Sequence, residues 1–259
     1  MNYWTSLSVE YANQRNYLDA LFAIYPTIPE NIREVDKILW GNIETAFEKK
    51  DNTELLNHLL NLDLFPIKDS YVAYLKRDSS AISRNPATVK RLCGRLYEMG
   101  LNELYERCSE PKETNRQIGP LFRRWLQKKT LGVDLLDADE FVSTKENAIL
   151  DGSDNELMDF AKEHLNYSHE KGLDFIAKFN DKYVIGEAKF LTDFGGHQNA
   201  QFNDAINTVK SRNVCALKIA ILDGVLYIPG KNKMYRYLTK HSQYNIMSAL
   251  VLREFLYQI

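Results

Sequence analysis

Cysteine is scarce in this chain: three among 259 residues, Cys93, Cys108 and Cys215, with no Cys-x-x-Cys spacing. That count indicates neither a disulfide framework nor a zinc site, and all three are read as buried, reduced thiols. No stretch approaches the ~18 consecutive apolar residues of a membrane helix. The opening "MNYWTSLSVEYANQ" lacks the basic-then-apolar order of a secretion signal. Cytoplasmic residence, with no membrane partner, is therefore the expectation. No internal repeat or low-complexity tract appears.

What is present is ordinary in amount and uneven in arrangement. Apolar and charged fractions of 44% and 26% suit a globular protein, and 259 residues allow one large domain or two modest ones. The net charge of −2 conceals segregation. Residues 66–130 carry 14 Lys/Arg against 7 Asp/Glu, a balance of +7, whereas residues 131–170 carry 2 against 11, a balance of −9. Such asymmetry fits either a cationic surface for a polyanion or a solvated helical face.

The first half reads as helical, with apolar residues at helical spacing over 10–24, 30–49 and 53–62, separated by "YPTIPEN" and "KKDNT". Asn85-Pro86 starts a further helix over 86–98, which stops near Gly100, and a basic helix covers 116–129. A helix-turn-helix over 86–107 is an open alternative. In the second half Ser153 and Glu156 have capping-box spacing ahead of the stripe Leu157, Phe160, Ala161 and Leu165. Two strand-like runs, "GLDFIAKF" and "KYVIGEAKF", flank Asn180-Asp181, and a Gly-Gly step leads into a polar helix over 197–210. "CALKIAIL" and "VLYIP" are read as strands joined by a hairpin at Asp223-Gly224, and a helix over 240–257 closes the chain. The expected fold is α/β (α+β-like), a mixed central sheet flanked by helices with a largely helical N-terminal half. The expected division is 1–130, helical and partly basic, and 131–259, the sheet core, the two regions forming separate domains or one continuous domain.

A two-residue turn at Asn180-Asp181 makes every cross-strand pair sum to 361, which sets Asp174 opposite Glu187, with Lys189 two residues further along the same face. The reverse face carries Leu173, Phe175, Ala177, Val184, Ala188 and Phe190, an apolar set suited to a core. Like charges directly opposite each other destabilise a sheet, and Lys189 compensates only in part. A hard divalent cation removes the conflict, and carboxylate oxygens are the ligands Mg²⁺ prefers. The same arrangement suits phosphodiester cleavage, with charge stabilised at phosphorus and a lysine beside the nucleophile. A hairpin ending in one cross-strand salt bridge is the plainer explanation of the same residues.

In "GLDFIAKF…YVIGEAKF" the chain resembles the catalytic core of the PD-(D/E)xK nuclease superfamily, and more narrowly type II restriction endonucleases. The resemblance covers roughly residues 153–228 and extends to "FLTDFGGHQNAQF" beyond the second strand. It implies catalytic roles for Asp174, Glu187 and Lys189, with Asp174 and Glu187 as metal ligands for Mg²⁺. It further implies double-stranded DNA as substrate, a 5′-phosphate product, a homodimer, and functional pairing with a cognate DNA methyltransferase. Leu173 stands where the motif name has proline, a position that varies in the superfamily. Glu156 and Glu163 lie on the preceding helix, which lends some members a further acid, and are read here as a cap and a surface residue.

Past the strand, Gly195 and Gly196 allow close backbone approach to a ligand, and the helix start offers free amides to a phosphate. His197, Gln198, Asn199 and Gln201 form an amide-rich run expected to meet DNA, since Asn and Gln side chains pair with adenine in the major groove. Arg84, Asn85, Thr88, Lys90 and Arg91 cluster at a helix start and are expected to add DNA contacts, with Arg116, Arg123, Arg124, Lys128 and Lys129 adding nonspecific attraction. Ile246, Leu250 and Leu252 are candidates for a dimer interface. A type II restriction endonuclease is the leading expectation. Another nuclease on the same core, in repair or on a mobile element, and a catalytically silent DNA-binding protein remain alternatives.

Overall fold

The computed structural model describes residues 1–26, 33–111 and 118–259. The chain forms two units, Met1–Thr27 with Thr114–Ile259, and Ile28–Glu113.

In the first unit α1 (Tyr3–Gln14) and α2 (Tyr17–Ile24) precede the excursion into the second. The second unit consists of α3 (Lys37–Glu48), α4 (Asn52–Leu60), α5 (Val72–Arg77), α6 (Ala81–Arg84) and α7 (Pro86–Cys108) around its own apolar core, which includes Ile43, Leu55, Leu59, Leu92 and Leu96. Pro86 occupies the first turn of α7, where a missing N–H costs nothing. Gly100 breaks that helix with φ 75° and ψ 162°, the stop expected there.

Back in the first unit, α8 (Ile118–Gln127), α9 (Ala138–Ser143), α10 (Asp154–Leu165), α11 (Gly196–Lys210), α12 (Lys233–Lys240) and α13 (Ala249–Gln258) accompany six strands. These are β1 (Asp134–Leu136), β2 (Ala148–Leu150), β3 (Phe175–Phe179), β4 (Lys182–Leu191), β5 (Leu217–Gly224) and β6 (Asn245–Met247), hydrogen-bonded in sequence order. β2–β3 and β3–β4 are antiparallel, and the other pairs are parallel. This is the α/β class expected, a mixed sheet flanked by helices. α1, α2 and α8 precede residue 130, yet their residues Tyr17, Leu21, Phe122 and Leu126 join the core against Phe175 and Val184 of the sheet.

Local chemistry explains the part of the fold that carries the site. Asn180 and Asp181 both adopt positive φ, 49° and 61°, the backbone a tight two-residue hairpin requires. The ladder runs Phe179↔Lys182 to Phe175↔Gly186, the register expected. Ser153 Oγ accepts the Glu156 N–H and Glu156 Oε2 accepts the Ser153 N–H, so α10 begins on a complete capping box. Its stripe of Leu157, Phe160, Ala161 and Leu165 is buried against Ile176 and Ile185. β4 and β5 come close at Gly186, where a Cβ would meet Ile219 Cγ1 at 2.7 Å.

Several expectations are corrected. No hairpin forms at Asp223-Gly224: β5 pairs parallel with β4 and β6, and "VLYIP" enters a 3-10 turn at Val225–Tyr227. Asp223 is buried there, accepting hydrogen bonds from the Tyr17, Tyr25 and Ser248 hydroxyls and the Ala249 N–H. A residue so enclosed is no solvated turn. Gly224 instead holds φ 100° with its Cα pressed against β4, where a Cβ would fall 2.0 Å from the Leu191 carbonyl oxygen. The closing helix begins at Ala249, because residues 245–247 form β6. Ile246 and Leu252 are consequently core residues and offer no free dimer face, whereas Leu250 is half-buried against that core. Cys93 and Cys108 are buried, but Cys215 is exposed. No described helix is long and apolar enough to cross a membrane.

Candidate active site

Ile185, Glu187 and Lys189 alternate along one face of β4, while Val184 and Ala188 enter the core on the other. Ile185 packs into the α10 cluster, so the charged pair continues a face that is otherwise apolar. Glu187 is only 1% exposed.

Asp174 lies one residue before β3, and here the expected geometry changes. Its N–H donates to the Gly186 carbonyl instead of continuing the ladder to Glu187. Its Oδ2 accepts the Ala188 N–H at 2.8 Å, a side chain taking the place of a strand backbone. The chain bends, and Leu173 packs with Ile176 and Ile185 instead of with Phe175. The bend still delivers Asp174 to the same cation. Lys189 Nζ lies 2.5 Å from Asp174 Oδ2 and 2.8 Å from Glu187 Oε2, so one ammonium joins all three expected residues.

Burial is the largest influence on Glu187 and raises its pKa, and Asp174 raises it further against the opposing pull of Lys189 and Lys171. For Lys189, burial alone would lower the pKa, but the two carboxylates outweigh it and hold the group above the ordinary lysine value. Lys189 is thus an ammonium at neutral pH.

Three further charged residues belong to this neighbourhood, and motif spacing identified none of them. Lys171 Nζ stands 3.4 Å from Glu187 Oε1 and 3.2 Å from Asp204 Oδ2 on α11. The contact with Glu187 has ion-pair distance without hydrogen-bond geometry, which leaves both Glu187 Oε1 and Lys171 Nζ buried and unbonded. Asp154, the first residue of α10, has its pKa raised by burial and then by the charge of Asp174. Its carbonyl accepts the Leu173 N–H, and Gly172 packs so closely that a Cβ would lie 2.8 Å from Asp154 Cβ. Glu156, by contrast, is committed to the cap and Glu163 is exposed, as expected. Among the described residues no three His, Cys, Asp or Glu side chains converge closely enough to hold a cation by themselves.

The residues expected to meet DNA divide into two kinds. Gln198 is buried, with its Oε1 accepting the Thr192 N–H, and Asn199 donates to the Phe194 carbonyl, so both close the 192–198 loop on itself. His197 is exposed and Gln201 half-buried, their side chains 3.3 Å apart. In the other unit Arg84 pairs with Asp78 and Arg91 with Asp69, each at 2.6 Å, and Asn85 donates to the Ala81 carbonyl. Lys90 is exposed and Thr88 half-buried. Arg123 pairs with Asp151, and Arg116 lies outside the described residues.

A six-stranded mixed sheet flanked by helices is consistent with a restriction-endonuclease-like fold. The match to known families is specific: the chain belongs to the Tsp45I type II restriction enzyme family, whose model matches residues 2–259. Membership makes it a site-specific endonuclease acting on DNA within a restriction system, in a class of enzymes that generally uses divalent metal ions. No curated protein and no solved structure matches the chain.

Proposed function

We propose that Asp174, Glu187 and Lys189 form the hydrolytic centre of a Mg²⁺-dependent endonuclease that cuts double-stranded DNA and leaves a 5′-phosphate. The observation that carries this reading is the junction at Lys189 Nζ, which gathers two carboxylates, one of them almost fully buried and with an oxygen left unbonded. A buried orphan oxygen costs on the order of 1–3 kcal/mol, so a use for it is expected.

The residues fit a hard divalent cation. Two carboxylates are what Mg²⁺ takes from a protein when water and substrate phosphate fill its remaining positions. Asp174 and Glu187 would hold the ion, which when bound supplies charge neutralisation at the scissile phosphate. Lys189, kept as an ammonium, orients the attacking water and places positive charge beside the phosphate oxygens. The water oxygen bonds to phosphorus as the bond to the 3′-oxygen breaks. The attacking water gives up one proton to solvent, and the departing 3′-oxygen takes one from solvent and leaves as a hydroxyl. The apolar packing of Ile176 and Ile185 beneath the site excludes bulk water and strengthens these charges.

His197 and Gln201 are the groove-reading candidates on α11, while Gln198 and Asn199 act indirectly by fixing the loop. In the helical unit Lys90 is proposed to meet backbone phosphate directly, with Thr88 and Asn85 beside it. Arg84 and Arg91 would do so by exchanging their aspartates for phosphates. A homodimer, a cognate methyltransferase and a cytoplasmic setting complete the proposal, since a two-fold enzyme suits a palindromic target.

The test is digestion of several unmethylated plasmids with Mg²⁺, followed by ligation of the products. Discrete fragments whose ends rejoin under DNA ligase support the reading. A continuous smear, or ends that ligate only after phosphorylation, would overturn it.

A further inference from the structure

Lys171 precedes β3 and has no place in the Asp…Glu-x-Lys pattern, yet its ammonium reaches the same carboxylate as Lys189. Its stem is partly exposed while its Nζ is buried. That Nζ lies between Glu187 Oε1 and Asp204 Oδ2, at 3.4 and 3.2 Å, without completing a hydrogen bond to either. Two of the few unbonded buried polar atoms of the described residues thus face each other across this contact. A lysine suspended between two acids can move between them by side-chain rotation alone.

We propose that Lys171 is a positioning residue that occupies the Glu187 side of the metal site when no cation is bound and transfers to Asp204 when one arrives. The inference rests on the reading of Asp174 and Glu187 as metal ligands. Its logic is charge balance. Without a cation, Asp174, Glu187 and Asp204 share Lys189 and Lys171, which offsets all but one of the three negative charges and keeps a buried Glu187 tolerable. A divalent ion beside Glu187 repels Lys171, and Asp204 on α11 gives the displaced ammonium a second partner. Lys171 therefore competes with the cation, and Asp204 assists it.

The two acceptors predict opposite effects. Lys171→Met removes the competitor, so the cation binds more tightly. Asp204→Asn removes the alternative partner, so Lys171 stays on Glu187 and the cation binds more weakly. Each shift is expected to be about three- to tenfold in Kd, the range for a partly exposed charge pair. In the double variant Lys171 is absent, and the Asp204 effect vanishes. A purely structural role for the Lys171–Asp204 contact would move both single variants in the same direction.

The experiment titrates full-length protein with Mn²⁺ alone, following free Mn²⁺ by electron paramagnetic resonance, for wild type, Lys171→Met, Asp204→Asn, the double variant and Glu187→Gln. Thermal melts establish that each variant is folded. Tighter binding by Lys171→Met with weaker binding by Asp204→Asn supports the proposal. Wild-type binding that Glu187→Gln abolishes, combined with single variants that shift alike or not at all, overturns the role of Lys171 and leaves the site standing. Binding that Glu187→Gln does not weaken removes the site and this inference together.

Discussion

Among the described residues two carboxylates are withdrawn from solvent, Glu187 and Asp223, and they are satisfied in opposite ways. Asp223 accepts four hydrogen bonds, yet burial outweighs them and pushes its pKa up to about 6. A carboxyl raised above its unfolded value of 3.8 stabilises the fold most below that value. The contribution is lost as pH rises through about 6. Stability is therefore expected to fall between pH 4 and pH 6 by roughly 3 kcal/mol from this group, and urea unfolding of Asp223→Asn is expected to lose that slope. Glu187 is different, since its Oε1 is unbonded and three carboxylates share two ammoniums. Glu187→Gln equalises the count, so it is expected to abolish cleavage while leaving the Tm unchanged or higher by a few degrees. A Tm lowered by about ten degrees would show that Glu187 is structural. The trio was legible in the sequence because Asn180-Asp181 fixes the hairpin register. Lys171, Asp154 and Asp204 were not, because their approach depends on the bend before β3 and on how α10 and α11 sit on the sheet.

At the scale of elements, α10, β3 and β4 form one device. The Ser153–Glu156 box fixes the start of α10, and Asp154 then ties to Leu173 beside the bend at Asp174. Ser153→Ala is expected to cost about 1 kcal/mol in chemical denaturation, with cleavage falling by more than stability alone explains. Gly186→Ala is expected to cost about 1–3 kcal/mol, since its new methyl meets Ile219. These central elements could be read because capping, turn chemistry and long apolar runs all point one way. β1, β2 and β6 have three residues each, too few to display an alternation. The Asp223-Gly224 pair carries hairpin chemistry, but a buried carboxylate hub and contact with β4 use it otherwise. Gln198 shows the same limit at a loop, because an amide that spacing offers to DNA is taken by Thr192.

For the whole molecule, the segregation of charge along the chain persists. Arg84, Arg91, Arg95 and Arg107 of the basic region each pair with a nearby acid, but those acids belong to the same region and are already counted in its balance of +7. Lys90 is exposed and has no ion pair among the described residues. Lys90→Ala is expected to weaken DNA binding alike for all sequences and to lower the salt slope by about one, as fluorescence anisotropy at several salt concentrations would register. The central claim, that three side chains on one hairpin perform the hydrolysis, is tested most directly by the single-turnover cleavage rate of Lys189→Met against wild type, with DNA binding measured alongside. The account predicts a loss of about a thousandfold or more in rate with binding retained, whereas cleavage within about tenfold of wild type would contradict it.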